Sequence, residues 1–302
     1  MAKTRKLKGE SNGIAFNIVN YFMYGLFTLL CVFPFYYLFI NTISNNQISN
    51  RGEVTFIPKG IHFSNYVQVL KLNGLIDAAM ISLGRTIIGT ILTVTAAALL
   101  GYLFTKKEMW GRTVWYRYTI ITMYFNAGII PWYINMFNLH LTNNFLAYVL
   151  PTIVSPFFII LVKTFVESTP ISLQESAQID GAGYFRIFTQ IIFPLIKPIL
   201  ATIAIFAAVS QWNSFMDTVF LMSKQSLFTL QFVLYRYLNQ ATALAALIRN
   251  TQGALNIDVT NMQTESSVRM TVSMIVVLPI LIVYPYFQRY FVKGIMIGAV
   301  KG

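Results

Sequence analysis

Long apolar runs, separated by short polar stretches, dominate the chain. A helix that crosses the roughly 30 Å hydrocarbon core of a bilayer needs about 20 apolar residues. Six segments have this length, and their approximate bounds are Val19–Ile43, Ala78–Phe104, Tyr116–Met136, Leu146–Val166, Pro198–Phe220 and Met270–Phe291. The third is the least regular, because Asn126, Gly128 and Pro131 interrupt it. The pattern predicts an all-α membrane protein with six transmembrane helices.

The basic residues predict how these helices are oriented. With the N-terminus in the cytoplasm, 14 of the 22 Lys and Arg residues fall on the cytoplasmic side. Lys and Arg are enriched in cytoplasmic loops, so we predict an N-in/C-in topology. Residues 1–14 then form a cytoplasmic basic tail, and residues 15–302 form one membrane domain. Residues 221–269 form its longer outer loop, which contains a short amphipathic helix.

Composition agrees with a membrane protein. Of the 302 residues, 56% are hydrophobic and 11% are charged, whereas a soluble domain is about 25% charged. The net charge of +12 is explained by the basic flanks of transmembrane helices, so nucleic acid is not an expected partner. Membrane lipid is.

The chain lacks the motifs of catalytic chemistry. It has no phosphate-binding G-x-x-x-x-G-K-[ST] loop, no H-E-x-x-H and no G-x-S-x-G. Its single cysteine allows no disulfide within the chain. We therefore expect no catalytic residue, metal ligand or bound cofactor. Ionisable residues are scarce inside the apolar segments, with Asp217 near the outer end of the fifth as the partial exception, which argues against a proton- or ion-coupled transporter.

One polar stretch stands out between the fourth and fifth segments, ESAQIDGAGYFRIFTQIIFPLIKP (Glu175–Pro198). The topology places the loop that contains it, residues 167–197, in the cytoplasm. A short helix is expected to end at Asp180, because Gly181 is well suited to stop it. Two starts are possible: a Thr169 cap with Pro170 in the first turn, or a capping box of Ser172 and Glu175.

A second short helix is predicted after the glycine. Apolar residues recur there at the spacing of one helix face, from Tyr184 to Ile192, and Pro194 is expected to end the helix. The two helices form an amphipathic hairpin, which is suited to docking in a groove on a soluble partner. A loop that merely covers the bilayer surface would not require a glycine at position 181 or the terminal proline.

The spacing of this stretch resembles the EAA loop of the permeases of ATP-binding-cassette (ABC) importers, E-A-A-x3-G-x9-I-x-L-P. The positions that correspond to it are Glu175, Ser176, Ala177, Gly181, Ile191, Phe193 and Pro194. Ser176 and Phe193 depart from the pattern, and both replacements are mild. The resemblance implies a MetI-like permease fold in which the hairpin is the coupling helix between helices 4 and 5.

Other stretches are similar to permeases of carbohydrate importers related to the second membrane subunit of the maltose system. The tail has their G-x-x-x-G-A-V-K-G form, from Gly294 to Gly302. Residues 127–151, WNSF at 212–215 and FPFYYLFINTIS at 33–44 also resemble that subfamily, the last of these its members for larger oligosaccharides.

The resemblance implies a permease subunit of a carbohydrate importer in the bacterial cytoplasmic membrane. Its partners would be a second homologous permease, a cytoplasmic ATPase dimer that carries ATP and Mg²⁺, and an extracellular or lipid-anchored sugar-binding protein; the solute would be an oligosaccharide. The residues implied to couple to the ATPase are Glu175, Ser176, Ala177, Asp180, Gly181, Ile191 and Pro194. Lys301 and Gly302 in the tail are candidates for a second contact, although Lys301 is equally an ordinary cytoplasmic basic residue.

Aromatic rings and amides in two segments are candidates for the sugar path. They are Tyr124, Asn126, Trp132, Gln211, Trp212, Asn213 and Asp217. Polar side chains in transmembrane helices usually face the bundle interior, but helix packing explains the same residues. Two other functions are open: a solitary secondary transporter or channel for small polar solutes, and a membrane-embedded enzyme. The first predicts ionisable residues at membrane depth, and the second a nucleophile, metal or acid–base cluster.

Overall fold

The computed structural model describes residues 14–71, 74–239 and 265–299. All regular secondary structure within these ranges is helical. The described residues fall into two compact units, the first containing 14–69 and 265–274 and the second the remainder. The predicted basic tail up to residue 13, most of the outer loop (240–264) and the last three residues, including Lys301 and Gly302, lie outside the described residues.

The first unit contains helices α1 (Ile14–Thr42), α2 (Asn46–Asn50) and most of α3 (Ser64–Leu70). Polar side chains hold the end of α1 against the chain that follows it. Asn41 donates to the Val54 carbonyl, and the Ser49 hydroxyl donates to Asn41 at 2.7 Å. Asn46 and Asn65 exchange hydrogen bonds at 3.0 and 2.8 Å. These buried amides therefore have partners, as buried polar groups require.

The second unit contains the longer set of helices. They are α4 (Leu75–Leu103), α5 (Arg112–Tyr124), α6 (Ile129–Asn138), two 3-10 turns (Phe145–Tyr148 and Leu150–Thr152), α7 (Pro156–Glu167), α8 (Ser172–Ile179), α9 (Tyr184–Ile187), a π-helical turn (Phe188–Ile192), α10 (Phe193–Leu195), α11 (Lys197–Asn213), α12 (Met216–Leu221), a 3-10 turn (Gln225–Leu227) and α13 (residues 230–239). Helix α14 (Glu265–Ala299) contributes residues to both units.

The core of the second unit lies between α4, α7 and α11. Small residues on α4 allow close packing: an added Cβ at Gly101 would lie 2.6 Å from the Val162 Cβ. The core also receives the apolar face of the segment 187–196. Its buried members are Ala97, Ala98, Tyr102, Val162, Val166, Ile187, Phe188, Ile192, Ile196, Leu200 and Ile203.

Three helical segments among the described residues are long and apolar enough to cross a bilayer, Phe16–Thr42, Leu75–Leu103 and Ser266–Val283. They correspond to the first, second and sixth predicted spans. Two bent pairs raise the number to five if each pair is one span, Phe145–Thr152 with Pro156–Glu167 at 44° and Tyr184–Leu195 with Lys197–Asn213 at 77°. If each bent pair is one span, five of the six predicted regions have the length and apolar composition that crossing a bilayer requires.

Three predicted spans are not continuous helices, and the fifth is divided into α11 and α12 at residues 214–215. The third is divided into α5 and α6 around Gly128, whose φ of +86° cannot continue a helix. The fourth begins as 3-10 turns and becomes α-helical only at Pro156. Proline lacks the backbone N–H that an α-helix would use, so Pro151 and Pro156 explain the break.

Candidate functional site

The cytoplasmic loop of the sequence prediction is a helical hairpin in the structure. Helix α8 ends at Ile179, and Gly181 follows with φ +79°. The amide of Ala182 donates to the Ala177 carbonyl at 2.9 Å, and that of Gly181 to the Gln178 carbonyl at 3.0 Å. These two bonds form a Schellman motif, which satisfies the last carbonyls of the helix. The prediction that the helix stops at Gly181 is confirmed.

The predicted start of this helix is wrong in detail. Helix α8 begins at Ser172 and has Ile171 at its N-cap, with no capping side chain. The Thr169 hydroxyl donates backward to the Val166 carbonyl at 2.6 Å. Neither proposed cap forms, because the backbone amides at the start of α8 bond to the Pro170 and Ile171 carbonyls in a tight turn instead.

The docking residues implied by the sequence lie mainly on the open side of the hairpin. Glu175, Ser176, Asp180 and Gly181 are exposed, Ala177 is half-buried, and no atom outside the turn lies within 4 Å of an added Cβ at Gly181. Two large apolar side chains of the same hairpin are also exposed, Ile179 at 86% and Phe185 at 76%. Contiguous exposed apolar groups rimmed by polar residues are typical of protein interaction sites.

The other side of the hairpin is anchored in the core. Ile187, Phe188 and Ile192 are buried against α4, α7 and α11. The predicted second helix is α-helical only for one turn and continues as a π-helical turn to Ile192. Ile191 is half-buried there, and Pro194 is exposed within α10 rather than ending the helix. The chain then bends by 77° before α11.

A residue that the sequence prediction missed joins this hairpin to α4. Lys106 follows the end of α4, and its ammonium group donates to the Gln174 side chain on α8. Desolvation by burial lowers the pKa of Lys106, and the nearby carboxylate of Glu108 raises it by a smaller amount. In the sequence, Lys106 is indistinguishable from any basic residue that flanks a transmembrane helix.

A second polar cluster lies where α4 meets α11 and α12. Arg85 on α4 is 1% exposed, and its guanidinium donates to Asp217 at 2.6 and 3.2 Å and to Gln211 at 3.0 and 3.1 Å. It also donates to the Ser214 carbonyl at 3.1 Å, where α11 ends. The Tyr148 ring faces the guanidinium carbon at 4.5 Å.

The structure thus brings together two of the sugar-path candidates, Gln211 and Asp217, through an arginine that was not among them. Gln211 additionally donates to the Thr152 hydroxyl at 2.7 Å. The only sequence signal for Arg85 was its position inside an apolar segment, where a charge needs a partner.

The remaining candidates have separate surroundings. The Trp212 indole donates to the Val276 carbonyl at 3.1 Å, and Asn213 accepts from Gln231 at 3.0 Å. Tyr124 is 81% exposed at the end of α5. Asn126 accepts from the Gly128 amide in the break that follows, and half-buried Trp132 packs against an apolar cluster around Met136 and Tyr148.

Comparison with known proteins gives matches over most or all of the chain. Residues 93–297 match the family model described as binding-protein-dependent transport system inner membrane component. The chain is 30% identical to Protein LplC of Bacillus subtilis (strain 168) over 302 residues, which is 100% of both chains. It is 28% identical to the polygalacturonan/rhamnogalacturonan transport system permease protein YtcP of the same organism, over 95% of this chain and 98% of that one.

A solved structure matches at the level of the fold. It is the crystal structure of a bacterial ABC transporter involved in the import of the acidic polysaccharide alginate. The superposition has a TM-score of 0.81 at 28% sequence identity and covers 95% of this chain and 100% of that chain.

Proposed function

Because the chain belongs to the family of binding-protein-dependent transport system inner membrane components, it is a multi-pass permease subunit of a bacterial ABC importer, and we propose that its solute is an oligosaccharide. ATP hydrolysis belongs to a separate subunit in this family, so the chain itself is not an enzyme. Membership decides against the solitary transporter or channel and the membrane enzyme that the sequence left open.

The observation that carries the proposed mechanism is the hairpin α8–α9. It presents an exposed polar turn and two exposed apolar side chains, Ile179 and Phe185, while Ile187, Phe188 and Ile192 anchor the hairpin in the core. Such an element can bind a soluble subunit and pass its movement to the membrane helices. We assign the ATPase contact to Glu175, Ser176, Ala177, Asp180 and Gly181, with Ile191 and Pro194 fixing the base of the hairpin.

In this mechanism the cytoplasmic ATPase dimer binds ATP and Mg²⁺, and this chain binds neither. Nucleotide-driven closure of the dimer pulls on the hairpin, and the permease moves between inward-open and outward-open states. A ligand can shift such an equilibrium only by contacting the two states differently. The remaining partners are a second homologous permease that completes the pathway and an extracellular or lipid-anchored sugar-binding protein. Lys301 and Gly302 would add a second ATPase contact.

The proposed topology has six spans with both termini in the cytoplasm. Five regions have the required length and apolar character if each bent pair is one span. The sixth would be the broken segment α5–α6, because irregular backbone is tolerated at membrane depth where protein or a water-filled path covers it. Residues 125–128 would then line the path, and Tyr124, Asn126 and Trp132 lie at or beside this break.

The proposed solute class rests on the relatives. One is named for transport of polygalacturonan and rhamnogalacturonan, and the matching structure concerns import of an acidic polysaccharide. We therefore propose an oligosaccharide that contains uronic acid units. Tyr124, Asn126, Trp132, Gln211, Trp212, Asn213 and Asp217 are the proposed path residues, with Gln211 and Asp217 held in place by Arg85.

Two glycines in the hairpin allow a controlled test of the coupling role. Gly181 has φ +79°, which a β-branched residue adopts only with strain, whereas Gly183 has φ −69°; an added Cβ meets no atom within 4 Å at either position. Gly181→Val should lower the amount of ATPase that co-purifies with the importer, and Gly183→Val should not. Equal ATPase retention by wild type and Gly181→Val would overturn the docking assignment.

The solute class is tested separately. Proteoliposomes that contain the complete importer are supplied with labelled digalacturonate, and uptake is measured with and without ATP. The proposal predicts ATP-dependent uptake that unlabelled digalacturonate competes away and that neutral maltose does not. If maltose competes with the uptake and unlabelled digalacturonate does not, a uronic acid solute is excluded.

A further inference from the structure

Lys106 occupies the junction between α4 and both arms of the hairpin. Its Nζ donates to Oε1 of Gln174, a buried residue of α8. The same nitrogen lies 4.6 Å from the ring centroid of Tyr102, in the last turn of α4, and 5.6 Å from that of Tyr184, the first residue of α9. One ammonium group thus contacts three helices, since a cation within about 6 Å of a ring centroid is attracted to its face.

The two aromatic residues are themselves joined. The Tyr102 hydroxyl donates to the Tyr184 carbonyl at 3.4 Å. On its other side, the Tyr102 ring packs against Phe188 with centroids 5.2 Å apart, inside the buried core. The end of α4 therefore contacts α9 and the π-helical turn through Tyr102, and its hydrogen bond to α8 comes from the Lys106 ammonium.

The groups that contact the Lys106 ammonium are neutral, and the Glu108 carboxylate acts on it from beyond ion-pair distance. The ion pairs among the described residues are Arg85–Asp217 and Lys163–Glu167, and neither involves Lys106. An amide oxygen and two ring faces bind a cation without neutralising it. The ammonium contacts all three groups only while α4, α8 and α9 keep this relative position. Lys107, the next residue, is exposed.

We propose that Lys106 is a positioning residue that fastens the coupling hairpin to α4, so that movement of the hairpin is passed to this membrane helix rather than absorbed in the turn. The inference rests on the proposed docking of an ATPase to the hairpin. Without the ammonium, α8 keeps its connection to α9 and the packing of Ala177 against the core, but it loses its hydrogen bond to the end of α4. The hairpin can then follow the ATPase while α4 stays behind.

The test measures one distance in the assembled importer. Spin labels are placed at Leu103→Cys on α4 and Gln178→Cys on α8, in a Cys31→Ser background, because Leu103 and Gln178 are exposed. Their distance distribution is recorded without nucleotide and after trapping with ATP and vanadate. The background is compared with Lys106→Met, Lys106→Arg and the matched control Lys107→Met. This readout does not depend on the identity of the sugar.

In the background protein and in Lys107→Met, the distribution is expected to be the same in both states, because the hairpin and α4 move together. In Lys106→Met the distance distribution should match that of the background protein without nucleotide. It should shift on trapping with ATP and vanadate, while the ATPase stays bound. Lys106→Arg should restore the constant distance, since a guanidinium also donates to an amide and stacks on aromatic rings.

Three results would overturn the inference. The first is a distance in Lys106→Met that stays constant on trapping. The second is a distance in Lys106→Met that already differs from the background without nucleotide, which a purely structural contact would give. The third is a distance in the background protein that changes on trapping. Failure of the proposed function gives a different result, because no ATPase would then co-purify with the background protein. This result is obtained before any distance is measured, and it would remove the basis of both proposals.

Discussion

The guanidinium of Arg85 on α4 and the carboxylate of Asp217 on α12 form an ion pair with 2.6 Å between Nη2 and Oδ2, although the two residues are 132 positions apart along the chain. Arg85 is 1% exposed and Asp217 12%. A buried charge is stable only when it is paired and its remaining donors are satisfied, which Gln211 and the Ser214 carbonyl achieve here. The cluster fixes the region where α11 ends.

Removing the carboxylate should therefore destabilise the protein strongly. Asp217→Ala leaves the Arg85 charge without its counter-ion, and breaking a buried pair in this way costs about 3–5 kcal/mol. The measurement is the unfolding midpoint of the purified protein in detergent. Because the cost comes from an uncompensated charge, the double variant Arg85→Met with Asp217→Leu should recover most of the lost stability.

The second ion pair of the described residues is the matched control. Lys163 and Glu167 also lie 2.6 Å apart, but the Glu167 side chain is 47% exposed. Glu167→Ala should change the free energy of unfolding by only about 0–1 kcal/mol. Similar losses for the two single variants would contradict the account of Arg85 as a buried charge.

Close packing between α4 and α7 predicts that alanine has opposite effects on stability at two glycines of α4. An added Cβ at Gly101 would lie 2.6 Å from the Val162 Cβ, so Gly101→Ala should destabilise by about 1–3 kcal/mol through overpacking. At Gly84 the nearest atom is the Phe145 ring at 3.7 Å. Gly84→Ala should therefore be neutral or stabilise by up to about 1 kcal/mol, because alanine favours the helix. Thermal unfolding in detergent checks both.

The exposed apolar side chains of the hairpin should contribute to ATPase binding without supporting the fold. Burying an isoleucine side chain contributes about 1.5–3 kcal/mol, so Ile179→Ser should weaken the affinity for the ATPase roughly tenfold or more. The affinity is measured by titrating the ATPase onto the immobilised permease pair. Unfolding of the free permease should be unchanged.

Ile187 in the same hairpin is the contrast, because it is fully buried. Ile187→Ser should lower the unfolding midpoint itself, since truncating a buried aliphatic side chain costs about 2–5 kcal/mol. An Ile179→Ser variant that binds ATPase as the wild type does would show that the exposed apolar face is not the contact surface.

The sugar-path candidates should separate into residues for transport and residues for packing. Tyr124 is exposed, so Tyr124→Ala should lower oligosaccharide uptake and leave stability unchanged. Trp212 donates to the Val276 carbonyl, and Trp212→Phe should cost about 1 kcal/mol of stability by losing that hydrogen bond. Uptake in proteoliposomes and unfolding in detergent are measured on the same preparations. Unchanged uptake by Tyr124→Ala would remove it from the proposed path.

Much of this protein was readable from local patterns. Apolar runs of transmembrane length located the long helices, and the glycine at position 181 marked the end of α8, because only local chemistry decides both. The spacing from Glu175 to Pro194 was enough to indicate the family that the comparisons with known proteins show. Where proline or glycine interrupts an apolar run, however, the sequence signalled an irregularity without saying whether the helix bends or breaks.

The tertiary structure decided which polar residues meet. Arg85 finds Gln211 and Asp217 at separations of 126 and 132 residues, and Lys106 finds Gln174 at a separation of 68. Periodicity assigns a residue to a face of its own helix, but it carries no information on which other helix packs against that face. Lys106 therefore looked like an ordinary basic residue and Arg85 like a charge in need of some partner, and only the packing of α4 against its neighbours showed which partner each has.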